Sequence, residues 1–184
     1  MSILERLPEH EIISAVLEAG KLLVGAGAVH EVHAKNRTDF VTDVDLRVQE
    51  TLKARLAELL PEVQFMGEEQ DNSAIDWTRP LWILDPVDGT TNLIRALRHS
   101  AISLALAEAG RVVFGVVYNP YAGELFTARL GAGARLNGRG IHVTAAATLA
   151  ECLVYAGTAP GHREWTELVF RDIRRIYERG LDIR

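Results

Sequence analysis

Cys152 is the only cysteine in the chain, so no disulfide can form within it and no cysteine-rich metal site exists. Its surroundings, Cys152-Leu153-Val154-Tyr155, make it a packed thiol rather than a nucleophile. No apolar run approaches the ~20 residues needed to span a bilayer. The start, Met1-Ser2-Ile3-Leu4-Glu5-Arg6, lacks the basic region and apolar core of a signal peptide, so a cytoplasmic protein without membrane attachment is expected. Positive charge is also scarce. Twenty Lys and Arg against 25 Asp and Glu leave a net charge of −5, which gives no footprint for nucleic acid and no long-range pull on phosphate. None of the six histidines lies at metal-ligand spacing from another, and no linker, low-complexity tract or internal repeat is visible. Affinity for an anion must therefore come from a local site.

Apolar residues are plentiful. At 184 residues and 48% hydrophobic, the chain can bury a core as one domain, or as one domain and part of another. The central stretch is Leu81-Trp82-Ile83-Leu84-Asp85-Pro86-Val87-Asp88-Gly89-Thr90-Thr91-Asn92-Leu93. An apolar run ending at an acid reads as a buried strand that delivers charge to its end. Pro86 lacks an N–H, so the ladder is expected to stop and the chain to turn, bringing Asp88 back beside Asp85. Two carboxylates held so close repel each other unless a cation lies between them. Gly89 allows a tight backbone, and Thr90-Thr91-Asn92 caps a short helix beginning at Leu93-Ile94, whose free N–H groups suit phosphate. The same residues also read as an ordinary Asp-Gly turn with solvated acids.

Around this stretch, Pro8, Glu9 and Glu11 open a helix with Ile13, Val16, Leu17, Gly20 and Val24 on one face, stopped by Gly25. Thr42 and Asp45 have capping-box spacing ahead of a second helix carrying Val48, Leu52, Leu56 and Leu59. Asp45 is thus either a cap or a carboxylate pointing into a site, while Asp39 and Asp43 read as solvent-facing. Val63-Gln64-Phe65-Met66 is a short strand closing on Gly67-Glu68-Glu69, whose acids are either delivered to a site or open a loop. Runs at 101–106, 112–118 and 124–128, with breakers between them, predict an antiparallel meander. Tight turns precede Ile141-His142-Val143-Thr144. Beyond them lie a strand at Cys152-Leu153-Val154-Tyr155, a helix from Glu164 to Glu178, and a strand just begun at Leu181-Asp182-Ile183-Arg184.

With Asp39-Phe40-Val41-Thr42-Asp43-Val44-Asp45, Gly67-Glu68-Glu69 and Trp82 through Asn92 taken together, the chain resembles the inositol monophosphatase family of magnesium-dependent, lithium-sensitive phosphatases. Leu125-Phe126-Thr127-Ala128 and the run from Gly131 to Gly138 resemble the family's middle. The resemblance implies a sugar-phosphatase-like fold, an α/β sandwich (α+β in its first half) with an antiparallel sheet and paired helices and with the second α/β half incomplete. Residues 1–148 would form the metal-binding domain, and 149–184 would begin a truncated second domain. It implies Mg2+ held by Glu68, Asp85, Asp88 and the carbonyl of Val87, with Asp45 and Thr90 orienting the attacking water and Glu68 aiding a further metal. The phosphate would lie on the backbone of Gly89, Thr90 and Thr91. The implied activity is hydrolysis of a small phosphate monoester such as inositol monophosphate, in a homodimer. The family's Gly-Ser-Ala-Ala and Trp-Asp-x-Ala-Ala-Gly segments do not occur here. The alternative is therefore an impaired relative that binds metal or a partner without turnover.

Overall fold

The computed structural model describes residues 2–25, 29, 31–35 and 40–184, so the expectation for Asp39 lies outside the described residues. The described residues divide into two compact units, one within 1–34 and 40–141, the other of Lys35 and 142–184.

In the first unit, α1 (Glu9–Val24) is followed by the hairpin strands β1 (Val32–Ala34) and β2 (Phe40–Thr42), then by α2 (Asp43–Leu59) and β3 (Gln64–Gly67). Next come β4 (Leu81–Asp88), the five-residue α3 (Thr90–Ile94), and strands β5 (Ala101–Glu108), β6 (Arg111–Asn119), β7 (Glu124–Arg129), β8 (Gly133–Leu136) and β9 (Arg139–Ile141). Strands β3 to β9 form one seven-stranded sheet in sequence order. Only the β3–β4 pair is parallel; the rest are antiparallel. The predicted meander is present, and it runs one hairpin further than the sequence indicated, through β8 and β9.

Alternation builds the core. Ile102, Leu104 and Leu106 on β5 point the same way, together with Trp82 and Leu84 on β4 and Phe114 and Val116 on β6. They meet Val44, Val48, Leu52 and Leu56 from α2 and Ile12, Val16, Ala19 and Leu23 from α1. The buried line of α1 differs from the expected one. Ile12, Val16, Ala19, Gly20 and Leu23 are buried, Ile13 and Leu17 flank them half-buried, and Val24 is 46% exposed. Positions 12, 16, 19 and 23 are the i, i+4, i+7, i+11 stripe of a straight helix, and that stripe faces the sheet.

The second unit contains β10 (Leu153–Val154), α4 (Thr166–Arg179) and β11 (Asp182–Ile183), with β10 and β11 paired in parallel. Among the described residues of this unit none is buried. No helix of the described chain is long and apolar enough to cross a membrane.

Candidate active site

Register places the acids. In the parallel pair, Gly67 lies opposite Leu84, and the ladder continues one step as the Glu68 N–H donates to the Leu84 carbonyl at 3.2 Å. Glu68 therefore emerges level with Asp85 on the neighbouring strand. Strand neighbours stand about 4.8 Å apart, so these two carboxyl groups meet because of pairing, not sequence proximity.

The chain does not turn at Asp85. β4 continues to Asp88, and Pro86 and Val87 are absorbed in a bulge between the rungs Asp85–Ser103 and Asp88–Ala101. A bulge tolerates a residue without an N–H, so proline disturbs the ladder without ending the strand. The Asp85 carboxylate accepts from the Val87 N–H at 3.1 Å, which satisfies the bulge's own donor. Asp88 is exposed and close enough to act on Asp85 through its charge; the group hydrogen-bonded to Asp85 is Glu68. Burial first, then the charges of Glu68 and Asp88, then that hydrogen bond push the Asp85 carboxyl up to about 7.

α3 begins at Thr90, three residues before the expected start, with Gly89 as its N-cap at φ 94°. Only glycine adopts that region without strain. The Gly89 carbonyl accepts from the Leu93 N–H at 3.0 Å and from the buried Ser100 hydroxyl at 2.9 Å. Asn92 Nδ2 donates to the His99 carbonyl at 2.7 Å and ties α3 to the start of β5. Thr90, Thr91 and Asn92 are thus the helix itself rather than its cap. Their N–H groups precede the first intrahelical bond.

Asp45 closes the cap of α2, and its second oxygen takes the Thr90 hydroxyl. Oδ2 accepts from the Thr42 backbone N–H at 2.9 Å and from the Thr42 hydroxyl, while the Thr42 hydroxyl accepts from the Val44 N–H at 3.2 Å and from the Asp45 N–H at 3.5 Å, the last completing the capping box. Oδ1 is 3.2 Å from the Thr90 hydroxyl, which also reaches the Val87 carbonyl at 3.1 Å. Asp45 is 1% exposed, and it bridges α2 to the turn carrying Asp88.

Among the described residues no three His, Cys, Asp or Glu side chains converge closely enough to cage a metal ion. What the structure brings together is a hydrogen-bonded carboxyl pair, Glu68 and Asp85, under the charge of Asp88. Such a donor set suits a hard divalent cation, whose oxygen ligands are carboxylates and carbonyls and which usually keeps several waters. A cleft of about 190 Å³ opens beside it, lined by Asp88, Gly89, Asn92, His99, Ser100 and Asn119. A larger groove of about 600 Å³, outside α1 and α2, is lined by Glu11, Ser14, Thr51 and Arg55 among others and holds none of these acids. The sequence reading passed over Ser100, Asn92 as a tie to β5, and the buried Gln49.

A family model described as the inositol monophosphatase family matches residues 7–178. An inositol-1-monophosphatase of Rhizobium meliloti is 37% identical over 150 residues, covering 80% of this chain and 56% of that protein. The Nus factor SuhB of Xylella fastidiosa is 31% identical over 179 residues, covering 94% of this chain and 63% of that one. The chain thus spans about three-fifths of the length of these curated relatives. The solved IMPase of Thermotoga maritima superposes with a TM-score of 0.82 at 33% identity, over 98% of this chain and 67% of that structure. The sheet carries Glu68 just past the end of β3 and Asp85 and Asp88 within the last four residues of β4, and the family model runs over most of the sequence: the chain belongs to the inositol monophosphatase family.

Proposed function

We propose that this chain is a magnesium-dependent phosphomonoesterase for a small phosphorylated substrate, with inositol monophosphate the first to test. The single observation that carries the reading is the Glu68–Asp85 pair, brought level by the β3–β4 register, where burial and the neighbouring acids push the Asp85 carboxyl up to about 7. Glu68, Asp85, Asp88 and the Val87 carbonyl would hold Mg2+. That carbonyl accepts a hydrogen bond from the Thr90 hydroxyl, and a carbonyl oxygen carries two lone pairs. Bound Mg2+ supplies an activated water and neutralises charge on the phosphoryl oxygens.

The remaining roles fall to this chain's own groups. The Asp45–Thr90 pair can accept a proton and orient a water, because Asp45 is fixed by its own cap and the Thr90 hydroxyl is held between two acceptors. Backbone N–H groups of Gly89, Thr90 and Thr91 would hold the phosphate. The left-handed Gly89, pinned by Ser100, supports that turn. No covalent nucleophile is required. The same reading treats residues 149–184 as the opening of a second α/β domain and the protein as a cytoplasmic homodimer. Support for association comes from the apolar residues that α4 leaves in solvent: Leu168, Phe170 and Tyr177 are 48%, 56% and 67% exposed.

A second reading, a relative that binds a partner and turns nothing over, draws on the open geometry of the acids. The test is phosphate release from inositol 1-phosphate with Mg2+, comparing the chain with Asp88→Asn. The expected loss is about a hundredfold or more. Equal rates in the two proteins sink the phosphatase reading, and absence of any release favours the second.

A further inference from the structure

We propose that Gln49 is a positioning residue for the metal-binding turn, an α2 side chain that sets the place of Glu68 without touching metal or substrate. The inference rests on the phosphatase reading and deepens it. Gln49 is 4% exposed, and its Oε1 accepts from the Glu69 N–H at 3.0 Å. A Cβ at Gly67 would stand 2.2 Å from the same oxygen, so the amide is packed directly against the backbone that ends β3. Glu68 is thus flanked on both sides by residues that Gln49 fixes. From the loop itself, Asn72 Nδ2 donates to the Gly67 carbonyl at 2.7 Å. The turn is held from the helix and from the loop.

Asp45 and Gln49 are four residues apart on α2 and so share one face, one turn apart. Asp45 reaches the Thr90 turn and Gln49 reaches the Glu68–Glu69 turn. The two acid-bearing loops, far apart in sequence, are therefore indexed to the same rigid helix. A polar side chain buried in the α2–sheet core is otherwise unfavourable, and this bond to a backbone N–H accounts for its presence. Supports of this kind matter because a ligand displaced by a fraction of an ångström loses metal affinity.

The experiment uses the whole 184-residue chain and Mn2+ alone as the probe. Its dissociation constant is read by water-proton relaxation, and exchange of the Glu69 amide by hydrogen–deuterium exchange. Gln49→Met keeps the volume and removes the acceptor; it is expected to weaken Mn2+ binding about tenfold and to speed Glu69 exchange. Gln49→Glu restores an acceptor oxygen and is expected to bring Mn2+ affinity back to within about threefold. If Gln49→Met does not fold, Gln49→Asn, which keeps the amide but shortens its reach, takes its place with the same expectation. A Met variant that binds Mn2+ as tightly as the parent overturns the proposal, as does a Glu variant as weak as the Met variant. A parent chain that binds no Mn2+ removes the phosphatase reading and this inference with it, and that failure shows in the parent and not in the variants.

Discussion

The helices α1 and α4 have similar lengths and each carries an apolar side, yet they end in different states. α1 buries Ile12, Val16, Ala19, Gly20 and Leu23, whereas α4 buries nothing and leaves Leu168 and Phe170 about half exposed. Amphipathic spacing specifies a helix and one of its faces. Burial needs a second layer, which the seven-stranded sheet supplies in the first unit and the two-residue strands β10 and β11 do not supply in the second. The acids of the candidate site all belong to the unit with a core, where a strand register is rigid enough to hold like charges together.

The sharpest way to break this contrast is to delete equal volumes from both units. Leu52→Ala on α2, where the side chain is fully buried, is expected to cost about 2–5 kcal/mol. Ile173→Ala on α4, half-buried at most, should cost about 1 kcal/mol or less. Urea unfolding measures both, and equal losses would mean that α4 is packed as tightly as α2. A smaller effect comes from Asp85, which keeps part of its surface in water. Its folded carboxyl holds a proton up to about 7 against an ordinary 3.8, so between those values the folded state binds more protons than the unfolded. Stability of the metal-free protein must then fall as pH rises from about 4 to about 7. Asp85→Asn should flatten the profile, and saturating Mn2+ should remove the fall. Thermal melts from pH 4.5 to 8 that show no slope in the parent would contradict the crowding of Glu68 and Asp85.

Much of this was legible in the sequence, and the misses have definite causes. The capping box at Thr42 and Asp45 is a local pattern, and local patterns read well. The meander followed from apolar runs and breakers. The pairing of β1 with β2 escaped because each strand is only three residues long, too short for alternation to mark it, and the first is entirely exposed. Pro86 misled because the rule that proline ends a ladder has bulges as its exception, and whether a bulge forms depends on the partner strand. The meeting of Glu68 with Asp85 depends on a parallel register that no single stretch encodes. Gln49 did leave a signal: Asp45, Val48, Gln49, Leu52 and Leu56 form one helical stripe, and a polar residue within an apolar stripe marks either a cap or a buried partner.

The smallest expected effect offers the closest comparison, because both units contain the same capping device. Thr42 and Asp45 close a capping box at the start of α2, and Thr148 and Glu151 close one at the start of a single 3-10 turn. In the first, both residues are buried and Asp45 also holds Thr90. In the second, both are exposed, and the bond from the Thr148 N–H to Glu151 is 3.4 Å long. Water can replace the lost partner at Thr148 but not at Thr42, where truncation leaves the Val44 N–H and the Asp45 carboxylate short of a partner inside the core. Thr42→Ala should therefore cost about 1–2 kcal/mol, the upper end for a cap, and Thr148→Ala about 0.5 kcal/mol or less. Unfolding free energies of the two variants decide the point. If the Thr148 change is the more damaging, the second unit relies on local capping more than the first relies on its core, and the contrast between the units is reversed.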